Sequence, residues 1–225
     1  MYKLFLFIIA ILLTGNLYSQ IDKWVLFDSD NTPLTDEVIN SIFIDSDNRK
    51  WFATDGLYIF DGKEWKVPKN NIGLDTIPIL KTKKDNNDEY WITTADNGLL
   101  NYDGENWKIH DSLNSSLFNN YTKEIAIDST NNIWVTNFVK DSLENRVVHY
   151  DILYKYDGEE WINMREKYKE LQGLWFLDMI VDKNNTLWIA TLDSGIVTFN
   201  EGVDTTFKLT NSEIPSNTVF DIDID

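Results

Sequence analysis

The chain has 225 residues, of which 43% are hydrophobic, and it carries a formal net charge of −17 with no cysteine. The lack of cysteine excludes a disulfide framework and lipid attachment at a lipobox. The acidic balance disfavours nucleic acid and anionic membranes as partners, because binding to them depends on lysine and arginine contacts to phosphate. With only two histidines, we expect no zinc or copper centre and no other cofactor.

Residues 1–20 have the pattern of a secretory signal peptide. Lys3 supplies the charged start, Leu4–Leu13 is an apolar run, and Leu17–Ser19 provides a plausible cleavage region. A run of this length is too short to span a bilayer, which takes about 20 residues. We therefore expect a periplasmic or secreted protein with no transmembrane segment within this chain.

One pattern recurs four times along the remaining chain. In each copy an aspartate stands six residues before a tryptophan that opens a short β-like run. The four pairs are Asp45 and Trp51, Asp85 and Trp91, Asp128 and Trp134, and Asp182 and Trp188. The tryptophans are separated by 40, 43 and 54 residues, and spacings in this range indicate a repeat architecture.

A second set of positions recurs further along each copy, where an aromatic strand is closed by Asp-Gly and another tryptophan. The glycines are Gly62, Gly104 and Gly158. Asp-Gly predicts a hairpin with a type I′ turn, in which both central residues have positive φ. The segment after each repeat aspartate, such as Asp45–Asn48, predicts a tight turn, since Asn tolerates left-handed backbone angles. One copy therefore predicts four consecutive antiparallel strands.

These motifs resemble the two-component-regulator propeller repeat, and the resemblance extends over residues 24–225. It implies an all-β fold, a β-propeller made of four-stranded blades, with the recurring tryptophans packed between blades. The repeat domain is expected at 21–225, with blade units around 37–66, 77–108, 120–162 and 174–208 and the start of another at 215–225. About four and a half blades predict an incomplete ring, and we expect an N-terminal part of a longer protein.

The resemblance implies an exported sensor portion of a hybrid two-component or related signalling protein. Its expected partners are a glycan or other small-molecule ligand and signalling domains downstream in the same protein. The alternative is a secreted propeller enzyme of lyase or glycosidase type, or a carbohydrate-binding adhesin. A propeller by itself does not distinguish between these functions. We expect a non-enzymatic role, because no nucleophile or metalloprotease motif is present.

The third copy contains extra length, and candidate ligand-binding residues lie in or near it. Residues 138–152 predict an extended hairpin that carries Arg146 and His149, and residues 164–171 have helix-forming composition. Trp175 lies outside both recurring tryptophan positions, so it is a third candidate. The other histidine, His110, follows a strand into a polar loop and is expected at the surface.

Carboxylates recur at turns, and we interpret them as structural. Asp45–Asn48 offers oxygen ligands for calcium, but copies three and four place Thr130 and Asn184 where copy one has Asp47. A sialidase-type aspartate box requires a glycine before the tryptophan, and none is present here. We therefore expect no catalytic carboxylate pair and no metal site.

Overall fold

The computed structural model describes residues 25–34, 38–70, 72–74, 76–143, 146–200 and 203–224. For residues 141–143, 146–148 and 203–204 it describes the backbone alone. The predicted signal peptide, residues 1–20, lies outside these ranges. Within them, no helix has the length and apolar character needed to cross a membrane.

The described residues form four antiparallel sheets of four strands each, in chain order. The first contains β1 (Ser41–Ile44), β2 (Lys50–Ala53), β3 (Leu57–Phe60) and β4 (Trp65–Lys66). The second contains β5 (Ile79–Lys84), β6 (Tyr90–Thr94), β7 (Leu99–Tyr102) and β8 (Trp107–His110). The third contains β9 (Thr122–Ile127), β10 (Ile133–Leu143), β11 (Arg146–Tyr156) and β12 (Trp161–Asn163). The fourth contains β13 (Phe176–Val181), β14 (Leu187–Thr191), β15 (Ile196–Phe199) and β16 (Val203–Phe207).

Each sheet is a meander in which every strand pairs with the next, and the first strands β1, β5, β9 and β13 contact one another in that order. Such radially arranged four-stranded sheets are the blades of a propeller. The predicted all-β propeller of four-stranded blades is therefore confirmed. Beyond blade 4, Val219 donates its backbone N–H to the carbonyl of Thr191 at 3.0 Å, so residues 219–224 run alongside that blade.

The Asp-Gly hairpins form where predicted, but their turn type differs from the prediction. Phe60 pairs with Trp65, which leaves a four-residue loop, and only Gly62 has a positive φ, of 93°. The Asp61 carboxylate accepts the backbone N–H groups of Lys63 and Glu64 at 2.9 and 3.0 Å. The side chain thus closes the turn itself, and a type I′ geometry is not needed.

The extra segments of the third copy form the predicted elements. Strands β10 and β11 are each 11 residues long and pair up to Leu143 and Arg146, so the extended hairpin is confirmed. After blade 3 the chain forms a one-turn helix, α1 (Met164–Lys167), and then a 3₁₀ turn, Lys169–Leu171. Met164 and Leu171 are buried between blades 3 and 4, so this insertion packs against both.

Aromatic contacts between blades make up much of the core. The Trp51 ring of blade 1 stacks on Tyr90 of blade 2, with centroids 4.0 Å apart. Trp134 of blade 3 meets Phe199 of blade 4 edge-on at 5.6 Å. The first tryptophans of blades 1 to 3 are buried, whereas Trp188 of blade 4 is partly exposed and stacks on Phe207 of its own blade. A buried aromatic removes about 150–250 Å² from water, so these contacts stabilise the arrangement of the blades.

Candidate functional site

The repeat aspartates organise the turn between the first two strands of each blade. The Oδ2 atom of each accepts a hydrogen bond from the indole Nε1–H of its tryptophan, at 2.8, 3.0, 3.1 and 2.9 Å in blades 1 to 4. The Oδ1 atom accepts the backbone N–H groups two and four residues later, as Asp45 does from Asp47 and Arg49. Burial alone would raise the pKa of Asp45, but hydrogen bonds from Trp51, Arg49 and Tyr90 hold it at about 2. These carboxylates are therefore saturated by protein donors.

The fourth residue of each of these turns has a left-handed backbone, as predicted from the asparagines. The φ angles are 61° at Asn48, 67° at Asp88, 67° at Asn131 and 62° at Asn185. Two of the asparagine side chains reach the turn of the preceding blade. Asn131 Oδ1 accepts the N–H of Asn86, and Asn185 Oδ1 accepts the N–H of Ser129, both at 2.9 Å. The turns therefore link neighbouring blades along one face, which we call the turn face.

The predicted surface position of His110 is wrong. Its ring is 4% exposed and lies among Trp91, Tyr156 and Trp161, whose indole donates to His110 Nδ1 at 3.3 Å. Burial, with a smaller contribution from Lys108, lowers its pKa to about 4. The ring belongs to β8 and packs between blades 2 and 3, so its role is structural.

Charged side chains meet where the innermost strands converge. Lys81 of β5 bridges Glu124 of β9 and Asp178 of β13, with 2.5 Å to the Asp178 carboxylate. Burial raises the pKa of Glu124, whereas Lys81 and other donors hold that of Asp178 low. The lysine thus joins three blades near the axis. Among the described residues, no cluster of three or more metal-ligating side chains is present.

On the face opposite the turn face, where the third blade carries its long hairpin, blade 3 is joined to the following chain in a different way from blades 1 and 4. In blades 1 and 4 a threonine at the end of the second strand, Thr54 or Thr191, uses its carbonyl to accept a backbone N–H from the chain that follows the blade, that of Ile79 or Val219. In blade 3 the Asp151 carboxylate takes this place, and its Oδ2 accepts the N–H of Phe176 at 2.7 Å. Asp151 is fully buried, with Lys123 4.0 Å away, and burial raises its pKa to about 7.

Four rings gather at the base of this hairpin, and we call them the hairpin-base cluster. They are Tyr121, Phe138, His149 and Trp175. Phe138 lies at the centre, with its ring centroid 5.4 Å from those of Tyr121 and His149 and 5.8 Å from that of Trp175. His149 is exposed and meets Trp175 edge-on at 5.6 Å, while the other three rings are partly buried.

The structure thus brings two of the three predicted ligand-binding residues together. His149 and Trp175 are 26 positions apart in sequence but share one cluster. The side chain of the third candidate, Arg146, lies outside the described residues. Sequence reasoning missed Tyr121 and Phe138, although Phe138 begins the segment identified as an insertion. It also missed Asp151, whose burial depends on how the next blade docks.

Searches with the sequence match no protein-family model and no curated protein. Comparison of the fold finds solved structures that are similar. The extracellular domain of a protein described as the hybrid two-component system BT3049 of B. thetaiotaomicron matches with a TM-score of 0.60 and 18% identity, over 78% of this chain and 24% of that one. The extracellular domain of BT4673 from the same organism matches with a TM-score of 0.54 and 17% identity, over 76% and 21% of the two chains.

A third structure, YCF48 bound to D1 peptide, has a TM-score of 0.51 and 12% identity, over 89% of this chain and 60% of that one. At these identities the likeness establishes the propeller-type fold. This chain spans about a quarter of the length of the two B. thetaiotaomicron domains.

Proposed function

We propose that this chain is the ligand-sensing or interaction portion of an exported signalling protein, and that it recognises its ligand at the hairpin-base cluster. The observation that carries this proposal is the gathering of Tyr121, Phe138, His149 and Trp175 beside an insertion present in one blade alone. The repeat tryptophans of blades 1 to 3 are buried in the gaps between blades. Trp175 lies outside the repeat pattern, and its ring contacts are with Phe138 and His149 of the long hairpin.

The chemistry of the cluster favours a neutral glycan. Indole and phenyl rings offer flat apolar surfaces, onto which the C–H face of a sugar ring can stack. The side-chain amide of Asn119 donates to the Phe138 carbonyl at 2.9 Å, and its second N–H suits a sugar hydroxyl. His149 is exposed at the edge and can donate or accept a hydrogen bond.

A binding role fits the cluster better than a catalytic one. The contacts that the structure gives the His149 ring are with Phe138 and Trp175. General acid–base or nucleophilic catalysis requires a nucleophile and a base within hydrogen-bond reach of each other. The likeness to extracellular domains of two-component systems supports a sensing role, and export would place the cluster outside the cytoplasm.

We further propose that additional blades of a longer protein continue the array. Ile42 and Ile44 on β1 are 55% and 57% exposed, and Phe220 and Ile224 are also exposed beside blade 4. Apolar blade faces are normally covered by neighbouring blades. This is supported by the much greater length of the B. thetaiotaomicron domains.

The test of recognition is calorimetric titration of the full chain with a panel of neutral oligosaccharides. We expect at least one to bind, and Trp175→Ala to weaken that binding at least tenfold. Leu113→Ala is the matched control, since Leu113 is 92% exposed in the connection between blades 2 and 3 but lies outside the cluster. Equal affinity of the Trp175→Ala variant and the control, or no binding across the panel, would contradict the proposal.

A further inference from the structure

On the turn face, a cleft lies between each pair of neighbouring blades that the structure describes, which makes three clefts. Each has a repeat tryptophan in its wall: Trp51, Trp91 or Trp134. The first two clefts have volumes of about 300 and 340 Å³, whereas the one between blades 3 and 4 measures about 530 Å³. Lys167 and Tyr168, from the insertion after blade 3, form part of the wall of this third cleft.

The first and third clefts differ in how their cations are paired. In the first, Lys66 lies 2.8 Å from Asp61 and 2.7 Å from Glu64, and Lys69 lies 2.6 Å from Glu105. In the third, Lys155 and Lys167 have no carboxylate within ion-pair distance among the described side chains. Their ammonium groups lie instead over aromatic rings, that of Lys155 5.4 Å from Trp134 and that of Lys167 5.3 Å from Tyr168.

The carboxylate of this cleft, Asp128, has no acceptor capacity to spare. Its oxygens accept from the hydroxyl and N–H of Thr130, the amide side chain and N–H of Asn132, and the indole of Trp134. Burial opposes ionisation, yet these hydrogen bonds hold the pKa of Asp128 below its usual value. The charge of Asp128 is thus satisfied within its own turn, and the two lysines remain to attract an anion.

The remaining wall of the cleft suits a ring with hydroxyl groups. Tyr168 and Phe199 meet edge-on, with centroids 4.9 Å apart, and form an aromatic surface together with Trp134. Asn185 and Asn200 line the same cleft and contribute amide groups. Convergent polar groups around an apolar surface in a space of roughly 300–1,000 Å³ are typical of small-molecule sites.

We propose that the cleft between blades 3 and 4 binds an acidic sugar, a six-membered ring that carries a carboxylate. The ring would lie against Tyr168, its hydroxyl groups would meet the asparagine amides, and its carboxylate would pair with Lys155 and Lys167. Two lysines without carboxylate partners create a local attraction for anions in a chain whose net charge is −17. This site is separate from the hairpin-base cluster, which lies on the opposite face.

The experiment is calorimetric titration of the full chain at low ionic strength with galacturonate, with galactose and acetate as the other arms. We expect galacturonate to bind, and both galactose and acetate to bind at least tenfold more weakly. The double variant Lys155→Met and Lys167→Met should weaken galacturonate binding at least tenfold. The matched control is Lys66→Met with Lys69→Met, which removes the paired lysines of the first cleft and should leave the affinity unchanged.

Thermal unfolding of each variant checks that the fold is retained. The proposal is overturned if galacturonate does not bind, if the two double variants bind it equally well, or if acetate binds as tightly as galacturonate. Trp175→Ala should leave galacturonate binding unchanged, so failure of this site and failure of the hairpin-base cluster are distinguishable.

Discussion

Blades 2 and 3 are built from the same repeat but differ in their connections. Both have an aspartate that accepts from a tryptophan six residues later, and both end in an Asp-Gly hairpin. In blade 2 the second and third strands are joined by a short turn after Thr94, in which Gly98 has a φ of 77°. A β-carbon at Gly98 would lie 2.3 Å from the carbonyl oxygen of His110, so the turn is tightly packed. In blade 3 the same connection is the long hairpin.

This difference separates residues that build the fold from residues that are available for binding. The residues that blades 2 and 3 share form hydrogen bonds within the blade and pack between blades. Blade 3 adds side chains that stay at least partly exposed: its hairpin carries Phe138 and His149, and the insertion after it contributes Lys167 and Tyr168 to a cleft wall. Both proposed sites therefore border the insertions of the third copy.

The largest loss of stability is expected when a repeat tryptophan, which blades 2 and 3 both have, is removed. Trp91→Ala and Trp134→Ala should each lower the free energy of unfolding by about 3–5 kcal/mol, because each empties a buried space between blades. Urea unfolding followed by circular dichroism measures this loss. Trp188→Ala is the comparison, and since Trp188 is partly exposed its cost should not exceed about 2 kcal/mol. Equal losses at Trp134 and Trp188 would show that interblade burial is not what the repeat tryptophan contributes.

The second effect is specific to blade 3 and depends on pH. Burial raises the pKa of Asp151 from 3.8 to about 7, so between these values the folded protein holds a proton that the unfolded chain releases. Stability must then fall as pH rises through this window, by at most about 1.4 kcal/mol per pH unit. Asp151→Asn removes the titration but keeps an oxygen that can accept the Phe176 N–H. We expect the variant to gain about 2 kcal/mol over the parent protein between pH 5 and pH 7.

Chemical denaturation at several pH values measures this difference. Thr94→Ser, at the end of the second strand of blade 2, is the control, since it introduces no titrating group in the window. A constant difference between the Asp151→Asn variant and the parent protein across pH 5–7 would mean that Asp151 is ionised in the folded state.

The smallest effect concerns the tip of the hairpin. Replacing Asp141–Val148 by Asn-Gly would join Lys140 to His149, which lie opposite each other in the ladder, through a two-residue turn. Because exposed loop tips tolerate change, we expect the unfolding free energy to shift by less than about 1 kcal/mol. The shortening must begin after Val139, which is 1% exposed and packs in the core. A loss of unfolding free energy comparable to that of Trp134→Ala would show that the tip contributes to the core.

The sequence was sufficient to predict the blades, because each local signal recurs and the copies support one another. Alternating apolar residues, turn asparagines and Asp-Gly pairs all act within a few residues of chain. The extended hairpin was equally predictable, since its length departs from the other copies. The type I′ turn was predicted wrongly because Asp61 can close a longer loop through its own side chain.

The candidate site was only partly predictable, because it depends on contacts between blades. His110 is the last residue of β8 and precedes a polar loop, yet docking of blade 3 buries it beside Trp161. Tyr121 and Trp175 come from two different connections, and each contacts Phe138, which lies between them. The ion pair of Lys81 with Asp178 likewise joins residues 97 positions apart. No local pattern encodes such distances.

Recognition at the hairpin-base cluster is tested by following the indole N–H signals of the tryptophans by nuclear magnetic resonance during titration with a neutral oligosaccharide that binds. Tryptophan-to-phenylalanine variants assign each signal. We expect the signal of Trp175 to shift with added ligand, while the indoles bound to repeat aspartates stay fixed: those of Trp51, Trp91, Trp134 and Trp188. A fixed Trp175 signal together with shifts of these four would place recognition on the repeated framework and not on the insertion of the third blade.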